Sequence, residues 1–288
     1  MRIIPESELI INSDGSAFHL HIKPEQLSDK IVMMGDPDRV TMTARFFDSI
    51  ECDVTSREFH TVTGMYKGKR ITALSHGIGT DNIDIVLTEL DALANIDFAT
   101  RMVKDQFRQL TMIRVGTSGG MQTHCPVGSY VVSEKSIGFD GLIHYYANSR
   151  AVCEEDFEEA FQKHVNWSPY HCSPYVISAD EGLVDRIGYD MIRGVTISAI
   201  GFYGPQGRHV RLALADPDLN ARIESFRYGG YSITNYEMES SAIAGLGKMM
   251  GHKAMTVCAI IANRVALESN ANYKGSTEEL IKIVLDRI

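Results

Sequence analysis

The sequence predicts a single α/β domain over residues 1–288, with helices on both faces of a sheet. Short apolar runs alternate with helical patterns through most of the chain, and this alternation is typical of layered α/β domains. Several of the runs are apolar without a two-residue period, as expected for strands buried on both faces. The composition agrees, because 44% hydrophobic and 23% charged residues are typical of globular proteins.

The first half of the chain supplies the first predicted strands and helices. Its apolar runs predict strands at Ile31–Met34, Ile71–Leu74, Met112–Val115 and Tyr130–Val132. Asp36 and Pro37 follow the first strand as an N-cap and a first helical residue, and Gly116 is expected to close the third strand. After a glycine turn at 77–79, apolar residues at 3–4 spacing predict a helix. They are Ile83, Val86, Leu87 and Leu90.

The second half continues the alternation after an irregular segment at 136–175. Its apolar runs predict strands at Val195–Ile200 and Thr256–Ile261. A helix is predicted between them at Glu237–Met250. Ser276 and Glu279 have the spacing of a capping box, which predicts the start of a C-terminal helix.

Charge and hydropathy exclude several classes of protein. The net charge of −9 argues against a general nucleic-acid binder but permits a small basic pocket. The longest apolar run, Ala254–Ala262, is far shorter than the roughly 20 residues of a membrane-spanning helix. Pro5, Glu6 and Glu8 interrupt the apolar core that a signal peptide would need, and the five dispersed cysteines form no CxxC pair. We therefore expect a cytoplasmic protein without membrane or nucleic-acid partners.

Four polar, glycine-containing loops follow predicted strands, where ligands of open α/β sheets bind. They lie at 35–39, 114–120, 201–208 and 235–241. Arg39 lies one turn inside a helix whose start offers backbone N–H groups to an anion. Arg114 precedes a glycine-hydroxyl loop that can wrap an oxyanion. A surface salt bridge explains either arginine alone, but the two together favour a phosphate or other anion site.

Two further pairs of polar residues are open to a functional and a structural interpretation. Glu237 and Glu239 can accept hydrogen bonds from a sugar diol, or can simply complement the positive end of a helix. Gln206 offers a donor and an acceptor to an amide-like edge. The spacing of Gln206 and Arg208 by itself favours an ordinary solvated loop.

As a set, the four loops resemble those of the nucleoside phosphorylase family. The motifs GDPxR, RxGTSG, FYxxQxR and NYEMES occur in the family's order, and the resemblance extends over nearly the whole chain, from Phe18 to Arg264. It implies a three-layer αβα fold with a central mixed, partly barrel-like sheet. It also implies a pentosyltransferase that uses inorganic phosphate as co-substrate and needs no other cofactor.

The resemblance implies a role for each matching residue. The phosphate site would consist of Gly35, Arg39, Arg57, Arg114 and Thr117. The ribose site would consist of His19, Glu237, Met238 and Glu239. The base site would consist of Phe202, Gln206, Arg208, Ile261 and Arg264. Arg57 and His19 resemble residues that one subunit contributes to the active site of its neighbour. This implies a homo-oligomer with sites shared across a dimer interface, and we favour a hexamer over a dimer.

The matched residues also imply the reaction. Purine-cleaving relatives carry an aspartate after the last strand, whereas this chain has Asn263 and Arg264, which with Gln206 and Arg208 favours a pyrimidine. The complete set of arginines favours phosphate over water as the nucleophile. The resemblance therefore implies reversible phosphorolysis of uridine in pyrimidine salvage, and it leaves open whether deoxyuridine is a second substrate. The alternatives are a broader or purine-specific phosphorylase and a phosphate-independent nucleosidase.

Four residues would carry the chemistry. Arg114, with the other phosphate residues, would aim phosphate at C1′. Glu239 would hold the hydroxyls of a ribose that develops positive charge. Arg208 would meet the negative charge on the leaving uracil, and Gln206 would fix the orientation of the base.

No metal or organic cofactor is expected. Some family members bind a monovalent cation at the subunit interface through a Glu and a Ser. Glu58 matches the first position, but Asn82 stands where the Ser is expected. The glycine turn at 77–79 lacks the third glycine of a dinucleotide fingerprint, and the adjacent His–Cys pairs lack the spacing of zinc ligands.

Overall fold

The computed structural model describes residues 2–266, 268–270 and 273–288. The strands are β1 (Lys30–Met34), β2 (Ser49–Ser56), β3 (Phe59–Tyr66), β4 (Lys69–Ser75), β5 (Ile96–Asp97), β6 (Met102–Val103), β7 (Thr111–Gly120), β8 (Tyr130–Gly138), β9 (Tyr175–Ser178), β10 (Ile192–Ser198), β11 (Arg227–Tyr228), β12 (Tyr231–Glu237), β13 (Lys253–Asn263) and β14 (Glu268–Ser269). The α-helices are α1 (Pro37–Ala44), α2 (Thr80–Asn95), α3 (Glu155–Val165), α4 (Glu181–Ile187), α5 (Leu219–Ser225), α6 (Ser240–Met249) and α7 (Lys274–Arg287). Short 3-10 helices occupy Pro24–Gln26, Leu142–Tyr145, Ser149–Val152 and Gly204–Gln206.

A mixed sheet runs through the molecule in the order β11-β12-β10-β8-β13-β7-β1-β4-β3-β2. Strands β12 and β7 lie apart in this order but also pair with each other, antiparallel, with Asn235 opposite Gly120 and Tyr236 opposite Gly119. This pairing closes β12, β10, β8, β13 and β7 into a barrel, while β1, β4, β3 and β2 continue the sheet beyond it. The predicted mixed, partly barrel-like sheet is therefore confirmed.

Helices pack on both faces of the sheet, as the alternating pattern predicts. Met33 of β1 packs in one core cluster with Leu87 of α2 and Ile243 of α6. The next residue, Met34, packs in the cluster on the other face with Val284 of α7. Successive side chains of a strand point to opposite faces, so β1 is buried on both sides. Within the described ranges, no helix combines the length and the apolar character needed to cross a membrane.

Strand β7 is longer than the sequence predicts. Gly116 does not close it, since β7 continues to Gly120 and pairs with β13 along its whole length. Glycine here allows close approach rather than a turn. A Cβ atom on Gly120 would lie 2.6 Å from the carbonyl oxygen of Cys125. Arg114 consequently lies within a barrel strand, and the glycine-hydroxyl segment after it is not a loop.

The starts of α1 and α6 show how the sequence sets these helix ends. Asp36 caps α1 as predicted, because its carboxylate accepts a hydrogen bond from the backbone N–H of Asp38. Helix α6 begins at Ser240 rather than at the predicted Glu237. The reason is that Glu237 is the last residue of β12 and lies opposite Ser198 of β10.

The predicted capping box of the C-terminal helix is wrong. Helix α7 begins at Lys274, with Tyr273 at the N-cap and no side-chain cap. Ser276 therefore lies inside the first turn, where its carbonyl oxygen accepts a hydrogen bond from the hydroxyl of Tyr130. The same hydroxyl donates to Glu279, so this carboxylate ties α7 to β8 instead of capping the helix.

Gly194 of β10 provides a test of the close packing between β10 and β12. A Cβ atom on Gly194 would lie 2.1 Å from Cγ2 of Thr234, a buried residue. Gly194→Ala should therefore lower the free energy of unfolding by about 1–3 kcal/mol, measured by urea denaturation. Gly275→Ala is the control, because its Cβ would meet no atom within 4 Å. Equal stability of the two variants would contradict this packing.

Candidate active site

A buried ion cluster lies where β7 and β12 meet. Nη1 of Arg114 lies 2.9 Å from Oε2 of Glu237, and Nη2 pairs with Oε2 of Glu239. All three side chains are buried. Burial alone would lower the pKa of Arg114, but the charges of Glu239 and Glu237 raise it above its ordinary value. The cluster therefore holds a permanent guanidinium cation between two carboxyl groups.

Glu239 connects this cluster to the loop that follows β4. Its Oε1 atom accepts a hydrogen bond of 2.7 Å from the backbone N–H of Gly79. Burial raises the pKa of Glu239 to about 7. The positive charge of Arg114 lowers this pKa, and the negative charge of Glu237 raises it further. Each oxygen of the carboxyl group is bonded within the chain, one to Gly79 and one to Arg114.

Glu237 supports the start of α6. Its carboxylate accepts hydrogen bonds from the backbone N–H groups of Glu239 at 2.9 Å and Ser240 at 3.0 Å. The hydroxyl of Ser198 donates to it at 2.6 Å. Its oxygens are therefore occupied by protein donors, and the residue fixes both the helix start and Arg114. Met238, between the two glutamates, is half-buried.

The loops after β1 and β4 approach each other beside Arg114. A Cβ atom on Gly35 would lie 3.1 Å from the carbonyl oxygen of Gly77, so a larger residue at 35 would crowd the crevice. Nε of Arg114 donates to Nε2 of His76 at 3.2 Å. Burial lowers the pKa of His76 well below its usual value, and the charges of Arg114 and Arg39 lower it further. The structure thus brings three predicted phosphate residues together around His76.

Gly116 makes room for the guanidinium group of Arg114. A Cβ atom on Gly116 would lie 2.3 Å from Nη1 of Arg114 and 3.0 Å from Sγ of Cys258. The same Nη1 lies 3.7 Å from that sulfur. Arg114 can therefore fold along its own strand only because residue 116 has no side chain. Thr117, the next residue of β7, is half-buried.

His19 and Arg57 belong to a separate group, the N-terminal cluster, which also contains Phe18, Phe59 and Glu89. Nδ1 of His19 lies 2.6 Å from Oε1 of Glu89, and its ring packs edge-on against Phe59. The guanidinium carbon of Arg57 lies 5.7 Å from the centre of the Phe18 ring. Among the described residues, no hydrogen bond or ring contact links this cluster to Arg114.

The predicted base residues do come together. Oε1 of Gln206 accepts hydrogen bonds from Nη1 of Arg208 at 2.7 Å and Nη2 of Arg264 at 3.0 Å. The guanidinium carbon of Arg208 lies 3.7 Å from the ring centre of Phe202. Burial and the charge of Arg208 lower the pKa of Arg264 to about 10. Ile261, on β13, is half-buried. Because Oε1 of Gln206 accepts hydrogen bonds from two arginines, its NH₂ group is the part of the side chain that can donate a hydrogen bond to a ligand.

A mostly apolar cavity of about 790 Å³ lies beside these residues. Its walls include Tyr203, Pro205 and Arg208 of the base loop, together with Phe139 after β8 and Trp167 after α3. A cavity of this size and apolar character is typical of small-molecule sites. Sequence reasoning gave no sign of Phe139 or Trp167, because they come from the irregular segment at 136–175.

Sequence reasoning also missed His76 and Cys258, which both contact Arg114. A signal for His76 is present in the sequence, since it lies two residues after the predicted strand Ile71–Leu74, and ligands of such sheets bind after strand ends. Cys258 lies within an apolar strand and differs in no way from a core residue in the sequence.

The profile of the phosphorylase superfamily matches residues 29–287, so the chain belongs to that family. It is 28% identical to the uridine phosphorylase of Thermococcus kodakarensis over 261 residues, which cover 88% of this chain and 80% of the relative. It is also 28% identical to the uridine phosphorylase of Escherichia coli over 283 residues, covering 95% and 97% of the two chains.

A solved structure has the same fold along nearly the whole chain. It is that of the Trypanosoma brucei nucleoside phosphorylase, described as showing uridine phosphorylase activity, with a TM-score of 0.88 and 28% identity. The match covers 97% of this chain and 98% of that one. The protein is therefore an enzyme, a pentosyltransferase of the phosphorylase superfamily, and its substrate class is nucleoside plus phosphate.

Gly116 provides a test of the Arg114 site. Gly116→Ala should weaken binding of inorganic phosphate at least about tenfold, because the new methyl group displaces a guanidinium that makes charge-assisted hydrogen bonds. Calorimetry with inorganic phosphate measures the affinity. Gly119→Ala is the matched control on the same strand, since its Cβ would make an ordinary contact of 3.6 Å with Arg264. An unchanged phosphate affinity in Gly116→Ala would show that Arg114 does not bind the anion.

Proposed function

We propose that this enzyme, acting as a single domain, splits uridine with inorganic phosphate into uracil and ribose 1-phosphate, reversibly. One observation carries the proposal: the buried Arg114, which suits a phosphate, pairs directly with Glu239, which suits a ribose diol. The similarity to uridine phosphorylases over most of the chain supports the choice of base. Pyrimidine salvage is the corresponding biological role.

Phosphate would bind in the crevice between the loops after β1 and β4. Arg39 and Arg114 would supply guanidinium donors, and Gly35 and the start of α1 would supply backbone N–H groups and a positive helix end. Thr117 would add a hydroxyl donor. Arg57 is exposed and has a φ of 56°. Because its contact lies in the N-terminal cluster, we assign it to the phosphate site of a neighbouring subunit.

Ribose binding would require Glu239 to exchange partners. Both oxygens of Glu239 accept hydrogen bonds from the chain, one from Arg114 and one from Gly79. When phosphate binds Arg114, the oxygen that Arg114 held becomes available to the ribose hydroxyls. Met238 would contact the sugar, and His19 of the neighbouring subunit would reach the 5′-hydroxyl. This arrangement implies a homo-oligomer of at least two subunits, and we favour a hexamer.

Bond cleavage would follow from these placements. The electron pair of the C1′–N1 bond leaves with uracil, and a phosphate oxygen forms the new bond to C1′. Arg208 would stabilise the negative charge on the leaving base, and the NH₂ group of Gln206 would donate to a uracil carbonyl oxygen. Phe202 and Ile261 would pack against the base, while Arg264 would hold Gln206 in place. No side chain forms a covalent bond to the substrate.

Release of uracil from uridine, with and without inorganic phosphate, tests the function directly. The proposal predicts release that depends on phosphate, and little cleavage of inosine under the same conditions. Phosphate-independent release would instead define a nucleosidase. Cleavage of inosine alone would define a purine phosphorylase with the same fold, and deoxyuridine run in parallel would measure tolerance at the 2′ position.

Replacement of Arg208 tests the proposed stabilisation of the leaving base. Removal of one preorganised donor to a developing anion typically costs about 10²–10³ in rate, and Arg208→Ala should lower kcat for uridine by that amount. Steady-state kinetics at saturating phosphate measures it. Arg45→Ala is the control, because Arg45 is an exposed arginine at the C-terminal end of α1 and does not line this cavity. A fall of less than about threefold for Arg208→Ala would remove its assigned role.

A further inference from the structure

His76 is a buried titratable residue that the proposed reaction does not yet use. It follows β4 directly and has no exposed surface. Burial, followed by the charges of Arg114 and Arg39, lowers its pKa well below the usual value. The ring is therefore a neutral imidazole at physiological pH.

The contact with Arg114 determines which ring nitrogen carries the proton. Nε of Arg114 can only donate, so Nε2 of His76, at 3.2 Å, accepts. A neutral ring that accepts at Nε2 carries its hydrogen on Nδ1. Among the described residues, Nδ1 has no hydrogen-bond partner. Backbone groups of Gly77 and of His76 itself raise the pKa of the ring, but neither accepts a hydrogen bond from Nδ1.

The unpartnered donor borders the crevice assigned to phosphate. A Cβ atom on Gly35 would lie 3.9 Å from Cε1 of His76, the carbon between the two ring nitrogens. The carbon between the two ring nitrogens therefore lies close to Gly35, while Nε2 is occupied by Arg114. A buried donor without a partner is unfavourable, and an anion held by Gly35 and Arg114 would supply the missing acceptor.

We propose that His76 is a further residue of the phosphate site, with a separate task for each nitrogen. Nε2 accepts from Nε of Arg114 and so fixes the plane of the guanidinium group. Nδ1–H donates to an oxygen of the bound phosphate. A neutral donor here adds a hydrogen bond without a third positive charge beside Arg39 and Arg114. The inference rests on the proposed phosphorolysis and adds a ligand to its phosphate site.

The test compares His76→Ala with the wild-type enzyme. The KM for phosphate and the calorimetric Kd for inorganic phosphate should rise at least about tenfold, whereas the KM for uridine, measured at saturating phosphate, should change by less than about twofold. His252→Ala is the matched control, because His252 is also a buried histidine, bonded to Asp91 and the backbone of Leu110. It should leave phosphate affinity unchanged. A folded His76→Ala enzyme with wild-type phosphate affinity would overturn the proposal.

Two conservative variants separate the nitrogens and remain informative if His76→Ala does not fold. His76→Gln places an acceptor near Nε2 and removes the Nδ1 donor, whereas His76→Asn keeps a donor near Nδ1 and removes the acceptor. Each should bind phosphate more weakly than wild type but more tightly than His76→Ala. Wild-type affinity in the Gln variant would overturn the donor role, and wild-type affinity in the Asn variant would overturn the acceptor role. Failure of the proposed function would differ, because the wild-type enzyme itself would then show no phosphate-dependent release of uracil.

Discussion

The antiparallel pairing of β7 with β12 is the constraint on which the site depends. It closes the barrel, and it directs the chain leaving β12 back along β7 towards Arg114. Glu237 and Glu239 consequently meet a guanidinium that is more than a hundred residues away in sequence. Without this closure, three buried charges would lack their partners, at a cost of several kcal/mol for each unpaired ion.

Glycine residues provide space for the buried charged side chains, and a hydroxyl group provides a hydrogen bond to one of them. The absence of a side chain at Gly116 lets Arg114 fold along its own strand, and Ser198 satisfies Glu237 from β10. Gly79 and His76, both from the loop after β4, complete the partners of Glu239 and Arg114. The cluster therefore joins the crevice assigned to phosphate with the residue assigned to ribose, and a ligand at one position alters the hydrogen bonds available at the other.

Six strands of this architecture (β1, β4, β7, β8, β10 and β13) could be predicted from the sequence, because each contains a short apolar run. Strands β2, β3, β9 and β12 were not predicted. Asp36 and Pro37 identified the start of α1, and Gln206 and Arg208, which the resemblance places in one site, are joined by a hydrogen bond. The extent of β7 could not be predicted, because glycine signals a turn in sequence but allows close side-chain approach in this barrel. The contacts of His76 and Cys258 with Arg114 depend on pairing between distant strands, which no local pattern contains.

The coupling of the phosphate and ribose positions through Arg114 is the central claim, and Glu239→Gln tests it most directly. Burial raises the pKa of Glu239, and glutamine is an uncharged side chain of the same shape, so the variant should fold. Because the carboxylate competes with phosphate for Arg114, calorimetry should find tighter phosphate binding and weaker uridine binding than in the wild-type enzyme. Weaker binding of both ligands, or no change in either, would contradict the account.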